Sequence, residues 1–360
     1  MAWRGFMVAG ARGAAGLCLA AALFEGTVRA ALAGGLLHLP VLGDAVRPAV
    51  LLGQIAEGAT PEKMWSATRG WANAPGTRTR PWTIGGPLRT ETVNAIGARR
   101  IGEVSATAPS GTRRVVAVGD SFTFGAEVND EDVWLSAAER ALPATEIVNL
   151  GVNGYGQDQA LLTLREVGLG LHPDVVVVGF VGDDLERNLF DFHFARKPRF
   201  VLRAGALALT GAPVPSPDEL RRLDHSRVRS LDLLAVATGK WAVRGWAEAT
   251  PLAVALISAM ASESRTSGAQ LLLVHLPGTL PYVRDLDADF HAPAFDEACA
   301  LDGVRCLDLR PVLRDARDRG VDLLEVTHWS PEAHAIAAAE LVKALQAMEP
   351  PAAPVSASGP

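Results

Sequence analysis

Residues Val115 to Gly125 read Val-Val-Ala-Val-Gly-Asp-Ser-Phe-Thr-Phe-Gly, an apolar run broken by Gly-Asp-Ser and closed by a second glycine. Consecutive β-formers without polar alternation suit a strand buried on both faces, as in a parallel sheet. Gly119-Asp120-Ser121 would then set a hydroxyl at the carboxyl end of that strand, where open α/β sheets place their ligand sites. A serine held at such a corner is geometrically suited to be a nucleophile. Asp and Ser also cap helices, so the corner read alone admits a cap as well as a nucleophile.

Further along, three more blocks fall on strand ends or loops. Asn149-Leu150-Gly151-Val152-Asn153-Gly154 follows the short strand Glu146 to Leu150. Gly182-Asp183-Asp184 follows the strand Val175 to Phe180, and Glu325-Val326-Thr327-His328 precedes Trp329-Ser330-Pro331 and a final helix. In this order the four blocks resemble the SGNH (GDSL-type) hydrolase family over roughly residues 111–348. Asn94-Ala95-Ile96-Gly97, ahead of a basic stretch, is similar to the lead-in of membrane-linked members.

Strands alternating with helices imply a mainly parallel sheet with helices on both faces. The resemblance implies the same class: an α/β, three-layer α/β/α flavodoxin-like fold. The helix expected over Asp132 to Ala141 places Trp134, Leu135 and Ala138 on one face. Gln157 to Gly168 reads as a helix ended by glycine. An insertion spans about residues 185–250, with a hairpin turning at Ala204-Gly205. The pattern resumes with a helix over Pro251 to Ser264, strands over Gln270 to Leu276 and Arg305 to Leu309, and a helix over Pro331 to Met348. Residues 34–110, rich in Gly, Pro and Trp, form a poorly patterned lead-in, and the Pro/Ala/Ser-rich tail 349–360 reads as disordered.

A chain of 360 residues with 49% hydrophobic and 21% charged residues buries a large core. Lys and Arg number 34 against 40 Asp and Glu, a formal charge of −6, which argues against a polyanion-binding surface and hence against a nucleic-acid partner. No phosphate loop, zinc-type Cys/His spacing or EF-hand pattern occurs, so the expected enzyme uses no cofactor.

Arg4 and Arg12 precede the apolar run Gly13 to Phe24, the basic-then-apolar order of a signal sequence, and Ala31-Leu32-Ala33 offers a cleavage site. The run falls short of the roughly 20 apolar residues of a confident spanning helix. Residues 1–33 are therefore read as a signal or membrane-anchor segment, and the protein as exported: membrane-tethered, periplasmic or extracellular. Cys299 and Cys306 lie close enough to bond in an oxidising compartment, or are two thiols packed as small hydrophobes.

Ester cleavage requires a base beside the serine. His328 is the candidate, since imidazole titrates near neutral pH and can hand the proton on to the leaving alkoxide. His334 matches a frequent family histidine of structural role, and His275 reads as a pocket-edge or packing residue. The family's acid, three residues before the histidine, falls on Glu325, and a glutamate can serve as acceptor from the ring. The resemblance implies oxyanion donors at the backbone amides of Ser121 and Gly154 and at the position of Asp183, with Asp120 and Asp184 in supporting roles.

Asp183 stands where the family has an asparagine. Losing one oxyanion donor costs about 2.7–4 kcal/mol. Two negative charges about 4 Å apart repel by roughly 4 kcal/mol at an effective dielectric of 20. Asp183 must be protonated, turn away, or mark altered chemistry.

The resulting expectation is a serine esterase cleaving acyl or acetyl esters of carbohydrate or lipid through an acyl-Ser121 intermediate. The alternatives are O-acyl transfer to a glycan hydroxyl, and a catalytically silent glycan- or lipid-binding module.

Overall fold

The computed structural model describes residues 2–33, 62–81, 86–191, 195–219, 228–231, 246–278 and 291–348, with positions 193, 222 and 233 besides. Its centre is a parallel sheet of five strands: β5 (Arg113–Val118), β6 (Thr145–Asn149), β7 (Val175–Phe180), β10 (Gln270–His275) and β11 (Val304–Asp308). Their spatial order is β6-β5-β7-β10-β11, the doubly wound order of the flavodoxin-like class. The chain leaves β5 toward one edge and returns to β7 on its other side, so the strand order reverses between β5 and β7. Ser121 and Asp183 follow those two strands, at the switch point where such sheets bind ligands.

Strand periodicity divides the core in two. Register aligns Val148, Val116, Val176 and Leu271 in one row across the sheet. That row packs against α4 (Gln157–Thr163), α6 (Trp246–Thr266) and α7 (Ala292–Cys299), through Leu161, Leu256 and Phe295. The alternate residues Val115, Ala117, Val177 and Leu272 face α3 (Trp134–Ala141), α8 (Arg310–Asp318) and α9 (Pro331–Ala347), through Trp134, Leu313 and Leu341. These are the three layers expected from the strand-helix alternation. Each fully buried aliphatic side chain contributes about 1.5–3 kcal/mol, so the two apolar layers dominate the stability of the unit.

Several elements lie where the sequence places them. The helix α3 buries Trp134, Leu135 and Ala138, and the hairpin of β8 (Arg199–Arg203) and β9 (Ala206–Thr210) turns at Ala204-Gly205, both at positive φ. Three differ. Pro251 lies inside α6, as its sixth residue, and not at its start, and the N–H it lacks removes one bond to the carbonyl at position 247. Beyond Thr163, the expected single helix continues as a π turn over Leu164–Gly168 and a 3₁₀ turn over Leu169–Leu171.

The lead-in is the third difference. It carries two antiparallel ribbons: β1 (Lys63–Ser66) with β2 (Gly70–Asn73), and β3 (Gly76–Pro81) with β4 (Leu88–Val93). Threonines pair across the second ribbon, Thr79 with Thr90 and Thr77 with Thr92. Such short ribbons have little apolar alternation because the catalytic unit supplies the surface they pack on. Further toward the N-terminus, α1 (Ala2–Ala33) leaves Leu17, Leu19, Leu23 and Phe24 exposed and buries Val28, and its Glu25 carboxylate accepts from the backbone N–H groups of Arg229 and Ser230. Among the described residues, no helix is long and apolar enough to cross a membrane. Cys299 at the end of α7 and Cys306 in the edge strand β11 form a disulfide. The tail 349–360 lies outside the described residues.

Candidate active site

Ser121 opens α2 (Ser121–Phe124), a single helical turn. The Asp120 carboxylate caps it by accepting from Phe122 N–H at 2.9 Å, so the corner supplies a cap and presents a hydroxyl at once. Gly119 has φ +156°, and a Cβ there would lie 2.2 Å from Thr123 Oγ1. The glycine block packs directly on this turn, where a Cβ at Gly151 would meet Phe124 N at 2.4 Å. Asn149 ties the two together: its amide donates to the carbonyls of Thr123 and Phe124, and its Oδ1 accepts from Gly151 N–H.

His328 sits in the loop between α8 and α9. Its Nε2 lies 2.8 Å from Ser121 Oγ and its Nδ1 lies 2.8 Å from a Glu127 carboxylate oxygen. An ionised carboxylate can only accept, so Nδ1 carries the hydrogen and Nε2 is left to accept from the serine hydroxyl. The ring packs on Phe122 with centroids 4.9 Å apart. Behind it, Trp329 is fully buried, and its indole N–H donates to Pro277 O at 3.0 Å.

The acid is not the one expected. Glu325 points away from the imidazole and pairs with Arg89 at 2.6 Å. Glu325 N–H donates to His328 O, which closes a tight turn and leaves the side chain at position 325 facing β4. Glu127 reaches the ring instead. One of its oxygens accepts from the Thr327 hydroxyl and His328 Nδ1; the other accepts from the backbone N–H groups of Val326, Thr327 and His328 at 3.0, 3.0 and 3.2 Å. Burial opposes ionisation of this carboxyl, but the hydrogen bonds from His328 and Thr327 outweigh it and hold the group down to about 2. Glu127 adopts φ +73°, a conformation that costs a non-glycine residue of order 1–3 kcal/mol and that clusters at functional sites. No periodicity marks Glu127 in the sequence. Its one signal is a lone carboxylate between the apolar residues Ala126 and Val128, just past the serine turn, both of which prove buried.

The third block forms α5 (Asp183–Leu189) after β7. Arg187, one turn on, gathers the acids: its Nη1 donates to Asp120 at 2.9 Å, Asp184 at 2.8 Å and Tyr155 O at 3.0 Å, and its Nη2 lies 3.8 Å from Asp183. Asp183 has thus turned toward the guanidinium. Asp184 is buried, and burial together with the neighbouring Asp120 charge raises its carboxyl well above the usual range despite Arg187. Asp120 and Asp184 therefore join the Ser121 turn to α5 through Arg187. His334 is buried and accepts from Trp134 N–H at 3.3 Å, and His275 is buried and stacks on Phe295. Both are packing residues.

A hydroxyl, an imidazole and a carboxylate joined in that order at a switch point is the arrangement of serine hydrolases. The chain belongs to the GDSL-like lipase/acylhydrolase family, whose model matches residues 117–336. No curated protein matches the sequence. Among solved structures, the chain is similar to a lipolytic protein of the G-D-S-L family from Veillonella parvula at 11% identity, over 66% of this chain and 100% of that one, with a TM-score of 0.43. A G-D-S-L family putative lipolytic protein from Desulfitobacterium hafniense matches at 17% identity over 64% and 99% of the two chains, with a TM-score of 0.39. A two-domain esterase active on acetylated mannans matches at 11% identity over 66% of this chain and 50% of that one, with a TM-score of 0.40.

Proposed function

We propose that the protein is a serine esterase that cleaves acyl or acetyl esters of carbohydrate or lipid through an acyl-Ser121 intermediate. The observation that carries this reading is the continuous hydrogen-bonded path Ser121–His328–Glu127, with 2.8 Å at each step. Ser121 Oγ passes its proton to His328 Nε2 as it attacks the ester carbonyl carbon, and Glu127 stabilises the imidazolium that forms. The backbone N–H groups of Ser121 and Gly154 receive the negative charge that develops on the carbonyl oxygen. When the carbonyl re-forms, the imidazolium gives its proton to the departing alkoxide. Water, deprotonated by the same imidazole, then releases the acid and restores the hydroxyl.

Asp183 supplies no amide donor, and Arg187, which Asp120 and Asp184 share, offsets part of the repulsion that its carboxylate would exert on the oxyanion. Transfer of the acyl group to a glycan hydroxyl uses the same acyl-enzyme and differs only in the acceptor. An exported, membrane-tethered location is supported by the basic-then-apolar N-terminal sequence, by the apolar side chains that α1 exposes, and by the Cys299–Cys306 disulfide.

The test is release of acetate from acetylated xylan or mannan oligosaccharides and of the free acid from a short acyl-lipid ester, with Ser121→Ala as control. Release with water as sole acceptor, lost in Ser121→Ala, supports the esterase. Release that depends on added glycan supports transfer. Tight glycan binding with no release in either case supports a silent binding module.

A further inference from the structure

Glu127 sits in an irregular loop, residues 125–130, between α2 and α3. A loop with a residue at φ +73° does not hold a catalytic carboxylate by itself, and its flanking carbonyls need donors. Those donors come from one side chain outside the family-matched segment.

Arg99 is 3% exposed and lies under this loop. Its Nη1 donates to Gly125 O, two residues before Glu127, and its Nη2 donates to Val128 O, one residue after, at 2.6 Å. Its Nε donates to Asp130 Oδ1 at 3.2 Å, and the guanidinium lies 4.7 Å from the Phe124 ring centroid. The same Asp130 oxygen accepts from Thr92 N–H, and Asn129 Oδ1 accepts from Thr90 N–H, which lashes the loop to β4. Arg99 N–H donates to Asn149 O, so one residue joins the acid loop to the glycine block. A planar fork with five donors satisfies carbonyls on both sides of Glu127; an ammonium, a point charge on a flexible stem, does not.

We infer that Arg99 is the positioning residue for Glu127, and that the lead-in around residues 88–100 is a working part of the active site and not a spacer ahead of it. The inference rests on the reading that Glu127 orients His328. It predicts that removing the fork while keeping the charge loosens the carboxylate from the imidazole without removing any group that touches substrate.

The test compares the wild-type chain with Arg99→Lys, both checked for folding by near-UV circular dichroism. The first readout is the far-downfield proton resonance of His328 Nδ1, assigned by its loss in Glu127→Gln. The second is the rate at which a fluorophosphonate probe labels Ser121. The resonance should vanish or move upfield in Arg99→Lys, and labelling should slow about tenfold or more, since small misplacements of catalytic groups have effects of that order. Glu127→Gln should then cost less in the Arg99→Lys background than in the wild type, because both changes break one linkage. A folded Arg99→Lys protein that keeps the resonance, or a fully additive double mutant, overturns the inference. A wild-type resonance that Arg99→Lys abolishes, with no labelling of Ser121 in either protein, supports the positioning role and overturns the hydrolase reading instead. If Arg99→Lys does not fold, Asp130→Asn weakens the same anchor and is read by the same two signals.

Discussion

Glu127 and His328 stand 201 residues apart in sequence and 2.8 Å apart in space. The carboxylate that meets the imidazole thus comes from the loop behind the serine turn, six residues past Ser121, and not from the histidine's own loop. Five hydrogen bonds converge on it, three of them from consecutive backbone N–H groups. Those three groups make a concave anion site from the histidine turn itself, so the same contacts fix the Glu127 carboxylate and the loop that carries His328.

The two glutamates should separate cleanly by mutation. Glu127→Gln keeps the shape but removes the charge that sets the imidazole tautomer, and kcat should fall by on the order of 10⁴ with little change in KM. Glu325→Gln breaks only the pair with Arg89, part-exposed on both sides, and should cost about 0–1 kcal/mol of stability and leave kcat within roughly fivefold. Steady-state kinetics on a chromogenic ester checks both. A collapse in Glu325→Gln with little loss in Glu127→Gln would reverse the assignment.

Acid stability should report the same carboxylate. Glu127 ionises near 2 in the folded chain against 4.5 as its ordinary value, so its folded pKa is depressed. The stabilisation it contributes is complete above 4.5 and is lost as pH falls toward 2. Denaturant melts at stepped pH should therefore show a steeper loss across that window in the wild type than in Glu127→Gln. Parallel curves would mean that the carboxylate is not gripped as described.

Asp183→Asn should hold or raise ester turnover at neutral pH. The substitution removes a negative charge whose present partner is Arg187, 3.8 Å away, and supplies an amide donor beside the oxyanion position. A large fall in kcat would show that the carboxyl group itself has a role in turnover.

Lys197 and Asp158 form a fully buried ion pair beneath the insertion hairpin. Burial raises the Asp158 carboxyl and lowers the Lys197 ammonium, and each charge is sustained by the other. Lys197→Met leaves Asp158 buried without its counter-charge and should destabilise the protein by about 3–5 kcal/mol, whereas replacing both residues by apolar ones of similar volume should recover much of the loss. Thermal unfolding of the single and double variants measures this.

Much of this site could be read from local pattern, and the part that could not has a physical reason. Ser121, Gly154 and Asp183 follow β-strands whose apolar runs announce a parallel sheet, and His328 precedes a helix with Ser330 as its cap. Each is tied to an element with its own periodicity. Glu127 belongs to no element, and its identity depends on a long-range choice between two carboxylates. That choice is made by Arg89, which holds Glu325, and by the N–H groups of Val326 to His328, which turn toward Glu127. The two ribbons of the lead-in leave little trace in the sequence for a related reason. Trp71 Nε1–H donates to Asn153 O and Asn73 Nδ2–H to Gly151 O, so these residues are spent on the glycine block and show no alternation of their own.

The most direct measurement is mass spectrometry of the intact protein and its peptides after exposure to a fluorophosphonate probe, with Ser121→Ala and Glu127→Gln alongside. An activated serine held by His328 and Glu127 predicts one adduct, confined to Ser121, absent in Ser121→Ala and formed far more slowly in Glu127→Gln. No adduct in folded wild-type protein, or labelling that Glu127→Gln leaves unchanged, would contradict the Ser121–His328–Glu127 path as the engine of the site.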